Sequence, residues 1–581
     1  MLEIGQQNDK WAFHIIDLFI QHNITKFWIA PGSRSTPLTL AIASHKKAHT
    51  TIHFDERGLA FHALGYSKLH KEPVVIVVTS GSAVGNLLPA IMEADQSQLP
   101  LLILTADRPP ELRDCFANQS IDQVKIFQNF TRWQADIPCP TSSITLNYIK
   151  SLISFAVEKT RSGPVHLNCQ FREPLFNNQN TYPSIPKAAY VSADHVLHDK
   201  DLLKIADTFS KEKKGLIILG NLPADQVKDV YTFASTINWP IYADITSQSR
   251  CFEKHELELC QMPNLLKIDS SLFEKVHNVI QFGDRIVSKA VNNWIKKAKL
   301  HNYFLVSSTG KRVDEFQLVS CRVSCSPTQF CRQLSPLLPT SNQADWVSEL
   351  QEANNKIAQQ IRIEIDQFAN LTEPYIHHHL GKNFPTNTSL FLGNSMPIRD
   401  AHAFFFSKNK PVSIQTSRGV SGIDGNIAMI FGLANALHSP IISIIGDLTF
   451  LHDLNSLAFA KSAKYPVTFF VLNNDGGEIF SHLPISSNKE YFETFFITSH
   501  GLTFQKAAEL FGISYQCIED KKSYLEFLSN NPMNSTQIIE FKTSRVDNLA
   551  HHKQIFKACE CLLLKNKETL ENSHLSSFTG F

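Results

Sequence analysis

No uninterrupted apolar run in the 581-residue chain approaches the ~20 residues that a membrane-spanning helix needs. Formal net charge is only +1, from 55 Lys and Arg against 54 Asp and Glu, so no overall field recruits nucleic acid or an anionic membrane. Any anion selectivity must be local. The opening Met1 to Lys10 stretch lacks the basic and apolar regions of a secretion signal, so a cytoplasmic location is expected. The 11 cysteines include no Cys-x-x-Cys pair, and an odd, scattered set fits a reducing compartment. Cys321, Cys325 and Cys331 come nearest to a zinc spacing and read better as core residues. His377-His378-His379 cannot turn three imidazoles toward one metal from a regular element, so a solvated surface run is expected there. No Gly-x-Gly-x-x-Gly opens the first βα unit, which argues against a dinucleotide site.

What is present is the ordinary makeup of a soluble globular protein, with 43% hydrophobic and 19% charged residues, in a chain long enough for about three to four domains. Helical and extended patterns alternate. Predicted strands cover 27–30, 51–55, 74–79 and 101–105, with helices over 9–23, from Pro37, and over 56–70. A second set lies at 215–219, 279–283 and 303–306. A third, after a long helix over 345–369, lies at 389–392, 412–416, 441–445, 467–472 and 538–542. Repeated βα units imply parallel, doubly wound sheets, so the expected fold class is α/β with three such domains at 1–180, 195–340 and 350–565 and a tail at 566–581. Polar, proline-marked stretches at 176–186 and 335–341 separate them.

The third unit holds the most informative spacing. Gly446-Asp447-Leu448 closes one apolar run, and 27 positions after the aspartate Asn474 closes the next, inside Asn473-Asn474-Asp475-Gly476. Either piece alone is an ordinary turn. Together they frame a βαβ unit, with a helical stretch over 452–462, that places both groups at strand C-terminal ends, where open α/β sheets bind ligands. Mg²⁺ takes hard oxygen donors and usually shares them with phosphate. The Asp447 carboxylate, the Asn474 amide oxygen and the Gly476 carbonyl would leave room for two diphosphate oxygens and a water.

This pattern resembles the thiamine diphosphate (ThDP) enzymes, whose metal motif is Gly-Asp-Gly followed at about this interval by Asn-Asn. Leu448 departs from the third glycine, and a Gly-Asp-Leu version occurs in the menaquinone-pathway branch of the family, the SEPHCHC synthases. Further matching segments run in order from about 28 to 485: Ala30-Pro-Gly-Ser-Arg-Ser-Thr-Pro37, Phe54-Asp-Glu-Arg-Gly58, Thr105-Ala-Asp-Arg-Pro-Pro-Glu-Leu112, Gly393-Asn-Ser-Met-Pro-Ile-Arg399, Ser417-Arg-Gly-Val-Ser-Gly-Ile-Asp-Gly425 and Asn474-Asp-Gly-Gly-Glu-Ile-Phe480.

The resemblance implies pyrimidine-binding (Pyr), central and diphosphate-binding (PP) domains. It implies ThDP with Mg²⁺, or Mn²⁺, and a homodimer or dimer of dimers with the site between subunits. Glu56 is then the catalytic carboxylate at the aminopyrimidine. Ile423, Gly446, Leu448, Ile479, Phe480 and Leu483 contact the cofactor, with Ile423 propping its bent shape, and Asp447, Asn474 and Gly476 hold the metal. The implied activity is a carbon–carbon bond-forming transferase that decarboxylates 2-oxoglutarate and adds the product to isochorismate in a conjugate, Stetter-like step. Its two substrates bring four carboxylates, and arginine suits bidentate carboxylate recognition. Arg34, Arg108, Arg399 and Arg418 fall in matching loops, with Ser33, Asn118, Gln119 and Ser395 as neutral partners. Lys289 matches a segment on the isochorismate side, where relatives carry Lys-Arg and this chain has Lys289-Ala290. Two alternatives stay open: an acetolactate synthase-type carboligase or 2-oxoacid decarboxylase, which CO₂ release from pyruvate would reveal, and a catalytically silent α/β binding protein, which would have less need of both Glu56 and the Asp447/Asn474 pair.

Overall fold

Runs of three to seven residues, most of them apolar and each too short for a buried helix, pair into three separate sheets whose strands are all parallel. The computed structural model describes residues 2–177, 182–191, 193, 195–211, 214–339, 344–406, 411–530 and 534–576. The first sheet contains β1 (Lys26–Ile29), β2 (His49–Ile52), β3 (Val74–Val78), β4 (Leu101–Asp107), β5 (Trp133–Ile137) and β6 (Val165–Gln170), in the order 2-1-3-4-6-5. The second contains β7 (Gly215–Leu219), β8 (Ile241–Ala243), β9 (Asn278–Phe282), β10 (Asn302–Val306) and β11 (Cys321–Val323), in the order 11-10-9-7-8. The third contains β12 (Ser389–Leu392), β13 (Ile414–Thr416), β14 (Ile441–Gly446), β15 (Val467–Asn473), β16 (Ser514–Ile518) and β17 (Gln537–Lys542), in the order 13-12-14-15-17-16. First and third sheets therefore share one permutation, and each reverses direction between its first and third strands. Those two switch points are where loops part and leave a crevice.

Several expectations are revised. His377 and His378 are fully buried, because helix Glu373–Lys382 is packed by helices Ala344–Gln367, Met396–Phe404, Lys521–Asn530 and Arg545–Ser576. The three imidazoles do point different ways, but into protein instead of solvent. His379 pairs with Asp366 at 2.8 Å. The stretch at 452–462 is a 3₁₀ run, Leu454–Lys461, after a short helix Asp447–His452. The tail expected from 566 is helical through Ser576, and residues 577–581 lie outside the described set, as do 178–181 and 340–341 of the two expected linkers. No helix among the described residues is long and apolar enough to cross a membrane.

Helix Glu56–His70 of the first domain crosses helix Asn426–Leu437 of the third at glycine on both sides. A Cβ on Gly65 would lie 2.2 Å from the Met429 carbonyl oxygen, and one on Gly432 would lie 2.1 Å from that of His62. Backbone meets backbone, so nothing flexible can yield. Gly65→Ala should destabilise the protein by about 1–3 kcal/mol, read as a lower urea midpoint at unchanged slope. His62 sits in this seam, accepts a 2.8 Å hydrogen bond from Trp28 Nε1, and is held neutral by burial, its pKa pushed down to about 3. The unfolded chain binds a proton there that the folded chain does not, so His62 makes stability fall as pH drops from 6.5 toward 3. Urea titrations between pH 6.5 and 5 should show His62→Gln losing about 1 kcal/mol less per pH unit than the parent.

Candidate active site

β14 and β15 end level, with Gly446 paired to Leu472, so Asp447 and the two asparagines leave the third sheet side by side at the C-terminal ends of adjacent strands. Asp447 is 2% exposed, and its oxygens accept from the backbone N–H of Leu448 at 2.6 Å and of Gly476 at 2.9 Å. Burial raises the Asp447 carboxyl above its usual range, against the pull of those two hydrogen bonds. A divalent cation would offset that cost. Gly476 has φ +130°, and a Cβ there would lie 2.1 Å from the Ile497 carbonyl, so only glycine fits. Asp475 seats the facing loop by accepting from the N–H groups of His500 and Gly501 at 2.9 and 2.8 Å.

Asn474 is buried and donates its amide to Glu373 at 2.8 Å and to Glu478 at 2.6 Å, while its Oδ1 meets no hydrogen-bond partner among the described residues. A buried, unpartnered amide oxygen beside a buried carboxylate and a strained glycine suits a hard cation. No group of three His, Cys, Asp or Glu side chains among the described residues could hold a metal by itself, in keeping with a clasp that uses one carboxylate and neutral oxygens. The residues present fit Mg²⁺ with a diphosphate. The sequence reading missed Glu373, Glu478 and Asn548 behind this clasp, although the glutamates stand near the Asn474 loop or at a helix start. Burial raises both carboxyls, Glu478 to about 7, and Glu373 is raised further by Glu478.

The residues expected at the cofactor lie on three segments of the third domain. Gly446 and Leu448 flank Asp447, Ile479 and Phe480 follow the Asn474 turn half-buried, Leu483 is exposed, and Ile423 sits half-buried in the turn before helix Asn426–Leu437. Glu56 opens helix Glu56–His70 after β2, half-buried, and its Oε2 accepts from Asn86 at 3.2 Å. The residues on either side of it are pinned to the third domain. Asp55 accepts from Asn455 at 2.6 Å, and Arg57 donates to the His452 carbonyl at 2.9 Å.

The arginines fall into two pairs, one beyond strand ends of the first sheet and one beyond those of the third. After β1 and β4, Arg34 donates to the Phe171 carbonyl and Glu173, while Arg108 donates to Ser80 and the Asn118 carbonyl. Burial, then the charge of Arg34, lowers Arg108 from the usual range. Ser33, Asn118 and Gln119 are exposed in the same loops, and Gln119 donates to the Ser80 carbonyl at 3.0 Å. In the third domain Arg399 donates to the carbonyl of Ser395, whose φ is +72°, and Arg418 donates to Asn394 at 2.9 Å. Burial, then Arg399, lowers Arg418. Like charges held together favour a bound anion. Lys289 is exposed at the start of helix Lys289–Lys297 in the central domain. Arg418 also reaches a cavity of about 480 Å³ lined by all three domains, among them Lys68, Ser97, Arg285, Lys311 and Thr416.

Comparison with known proteins identifies the three domains. Three family descriptions match in order: the thiamine pyrophosphate enzyme N-terminal TPP binding domain over residues 9–126, the middle domain of thiamine pyrophosphate enzymes over 188–392, and the C-terminal TPP binding domain over 398–531. The chain is 35% identical to the 2-succinyl-5-enolpyruvyl-6-hydroxy-3-cyclohexene-1-carboxylate synthase of Psychromonas ingrahamii, over 96% of both chains. It is 33% identical to the same-named protein of Rubrobacter xylanophilus, over 95% of this chain and 98% of that one, and 33% identical to that of Bacillus velezensis, over 94% and 96%. The solved benzoylformate decarboxylase from Polynucleobacter necessarius superposes with a TM-score of 0.70 over 92% of this chain and 98% of that one, at 16% identity, a likeness of fold.

Proposed function

Since the chain belongs to the 2-succinyl-5-enolpyruvyl-6-hydroxy-3-cyclohexene-1-carboxylate (SEPHCHC) synthase family of thiamine pyrophosphate enzymes, we propose that it decarboxylates 2-oxoglutarate and joins the remaining four-carbon unit to isochorismate, yielding SEPHCHC and CO₂. The observation that carries the reading is the clasp at the ends of β14 and β15, with Asp447 buried, the Oδ1 of buried Asn474 unpartnered among the described residues, and the Gly476 N–H bonded to Asp447. Bound there, ThDP would supply the electron sink that decarboxylation of a 2-oxoacid requires.

The chain's own residues supply the rest. Asp447, Asn474 and Gly476 would hold Mg²⁺ and through it the diphosphate. Ile423, Ile479, Phe480 and Leu483 would form the apolar wall that keeps water from the reacting carbon. Glu56 would take and return a proton at the aminopyrimidine nitrogen, as a carboxylate half-withdrawn from water can. Arg399 and Arg418, with Ser395, are assigned to 2-oxoglutarate. Arg34 and Arg108, with Ser33, Asn118 and Gln119, and Lys289 from the central domain, are assigned to the remaining carboxylates, with Ala290 leaving one fewer guanidinium.

We assign the site to a homodimer, or a dimer of dimers, in which the first domain of one subunit faces the third domain of the other. Support comes from uncovered apolar side chains beside each half: Ile52 and Phe54 are 66% and 65% exposed next to Glu56, and Phe495 is 68% exposed beyond the Asn474 turn. Incubating the protein with ThDP, Mg²⁺, 2-oxoglutarate and isochorismate should give SEPHCHC by mass spectrometry and CO₂ in equal amount. CO₂ from pyruvate with none from 2-oxoglutarate would replace this reading with the acetolactate synthase type.

A further inference from the structure

A side-chain amide can ligate a metal only through its oxygen, and asparagine can present either end. Behind Asn474 a closed set of hydrogen bonds decides which end faces forward. The backbone N–H of Glu373 donates to Asn548 Oδ1 at 2.9 Å, which leaves the Asn548 amide nitrogen facing the carboxyl groups. That nitrogen donates to Glu373 Oε1 at 3.1 Å and to Glu478 Oε2 at 3.3 Å. Thr543 Oγ1 adds a third donor to Glu373 Oε1 at 3.3 Å. The same two carboxyl oxygens receive both hydrogens of Asn474 Nδ2, at 2.8 and 2.6 Å. Glu373, Glu478 and Asn548 are each no more than 3% exposed, so water cannot take over any of these bonds. Turned about, Asn474 would press its oxygen against two carboxyl oxygens and aim N–H groups at the cation site.

We propose that Glu373 and Glu478 are positioning residues that lock the sense of the Asn474 amide, so that Oδ1 is presented to the metal before any metal arrives. The proposal rests on the reading of Asp447, Asn474 and Gly476 as the Mg²⁺ clasp. The neutral ligand is held from behind by two buried carboxyl groups, drawn from a helix start at 373 and a 3₁₀ turn at 478 that are 105 positions apart.

The test is Mg²⁺ affinity, measured by calorimetric titration of the full-length protein in excess ThDP, with the melting temperature of the metal-free protein followed in parallel. Glu478→Leu should weaken Mg²⁺ about 10- to 100-fold in protein that still folds, its melting temperature lowered by the donors left without an acceptor, whereas Glu478→Gln, which keeps an acceptor, should stay within about three-fold. A second substitution supplies a reversal of sign. Asn474→Asp should weaken Mg²⁺ in the parent, where it sets a third carboxylate against two, yet strengthen it in the Glu478→Leu background, where either oxygen of the aspartate can serve. Parent-like affinity in Glu478→Leu, or the same loss from Asn474→Asp in both backgrounds, overturns the proposal. Should Glu478→Leu not fold, Asn548→Ala takes its place, with about a three- to ten-fold loss expected and an unchanged affinity decisive against. Asp447→Ala separates the two layers. If it too leaves Mg²⁺ binding intact, the clasp itself is misassigned; if it alone abolishes binding, only the locking role fails.

Discussion

Glu56→Gln should lower kcat by about 10²- to 10⁴-fold while calorimetry shows ThDP and Mg²⁺ still bound with close to parental affinity. Glutamine keeps the length, the helix-start position and an oxygen for the Asn86 amide, 3.2 Å away in the parent. It cannot accept and return a proton. The helix itself should be undisturbed, because its cap is Asp55, which accepts from the Arg57 N–H at 3.0 Å and is tied to Asn455 at 2.6 Å. The melting temperature should therefore stay within about a degree or two of the parent, a surface change away from caps and core being worth no more than about 0.5 kcal/mol. Turnover equal to that of the parent would remove Glu56 from the chemistry.

Asp447→Ala should act on binding. The carboxylate would supply the only formal negative charge in the clasp, and its two oxygens also hold the N–H groups of Leu448 and Gly476. Its removal should cost metal affinity beyond the roughly 10- to 100-fold typical of outer partners, and the diphosphate with it. Activity at high Mg²⁺ and ThDP should stay near background. The two variants also report on assembly when mixed. Neither is active alone, but if Glu56 of one subunit works with Asp447 of another, each hybrid dimer holds one intact site, and an equimolar mixture allowed to exchange subunits should recover about a quarter of parental activity. Recovery of nothing, with hybrids demonstrated by mass, would place both groups in one subunit's own site.

The parts legible beforehand were those where one physical signal dominated. β7 and β12 and the helix from Glu56 to His70 lie at the predicted bounds because an apolar run or an amphipathic period began and ended sharply. β5, β8, β11 and β16 went unseen. β16 reads Ser-Tyr-Gln-Cys-Ile on a sheet edge, half solvated, and β8 and β11 are three residues each. β6 was hidden for another reason. It is wholly buried in the first sheet, yet carries His166, Asn168 and Gln170, whose side chains find partners in Thr105, Asp107 and Asp136. Polarity satisfied across the sheet looks like loop in a one-dimensional reading.

The site was legible in the same uneven way. Asp447 and Asn474 each close an apolar run, so their arrival at adjacent strand ends follows from pattern alone. The carboxyl groups behind them do not announce themselves. Glu373 starts a helix, where glutamate is common, and Asn548 lies 74 positions beyond Asn474, so only folding reveals that they meet. The histidine triplet misled through the converse assumption, that a polar run needs water. A helix ringed by four others can bury imidazoles as long as they remain neutral, and His378 does so with its pKa pushed down to about 3 by burial.

The permutation 2-1-3-4-6-5 is drawn twice in this chain, once in its opening third and once in its closing third. Twin scaffolds thus present twin clefts, and each is furnished differently, one with the glutamate proposed to handle the proton beside its second strand, the other with the proposed oxygen ligands beyond its third and fourth. Neither cleft can substitute for the other. On the proposed roles, damage to either set should cost the activity, however well the sister scaffold is preserved.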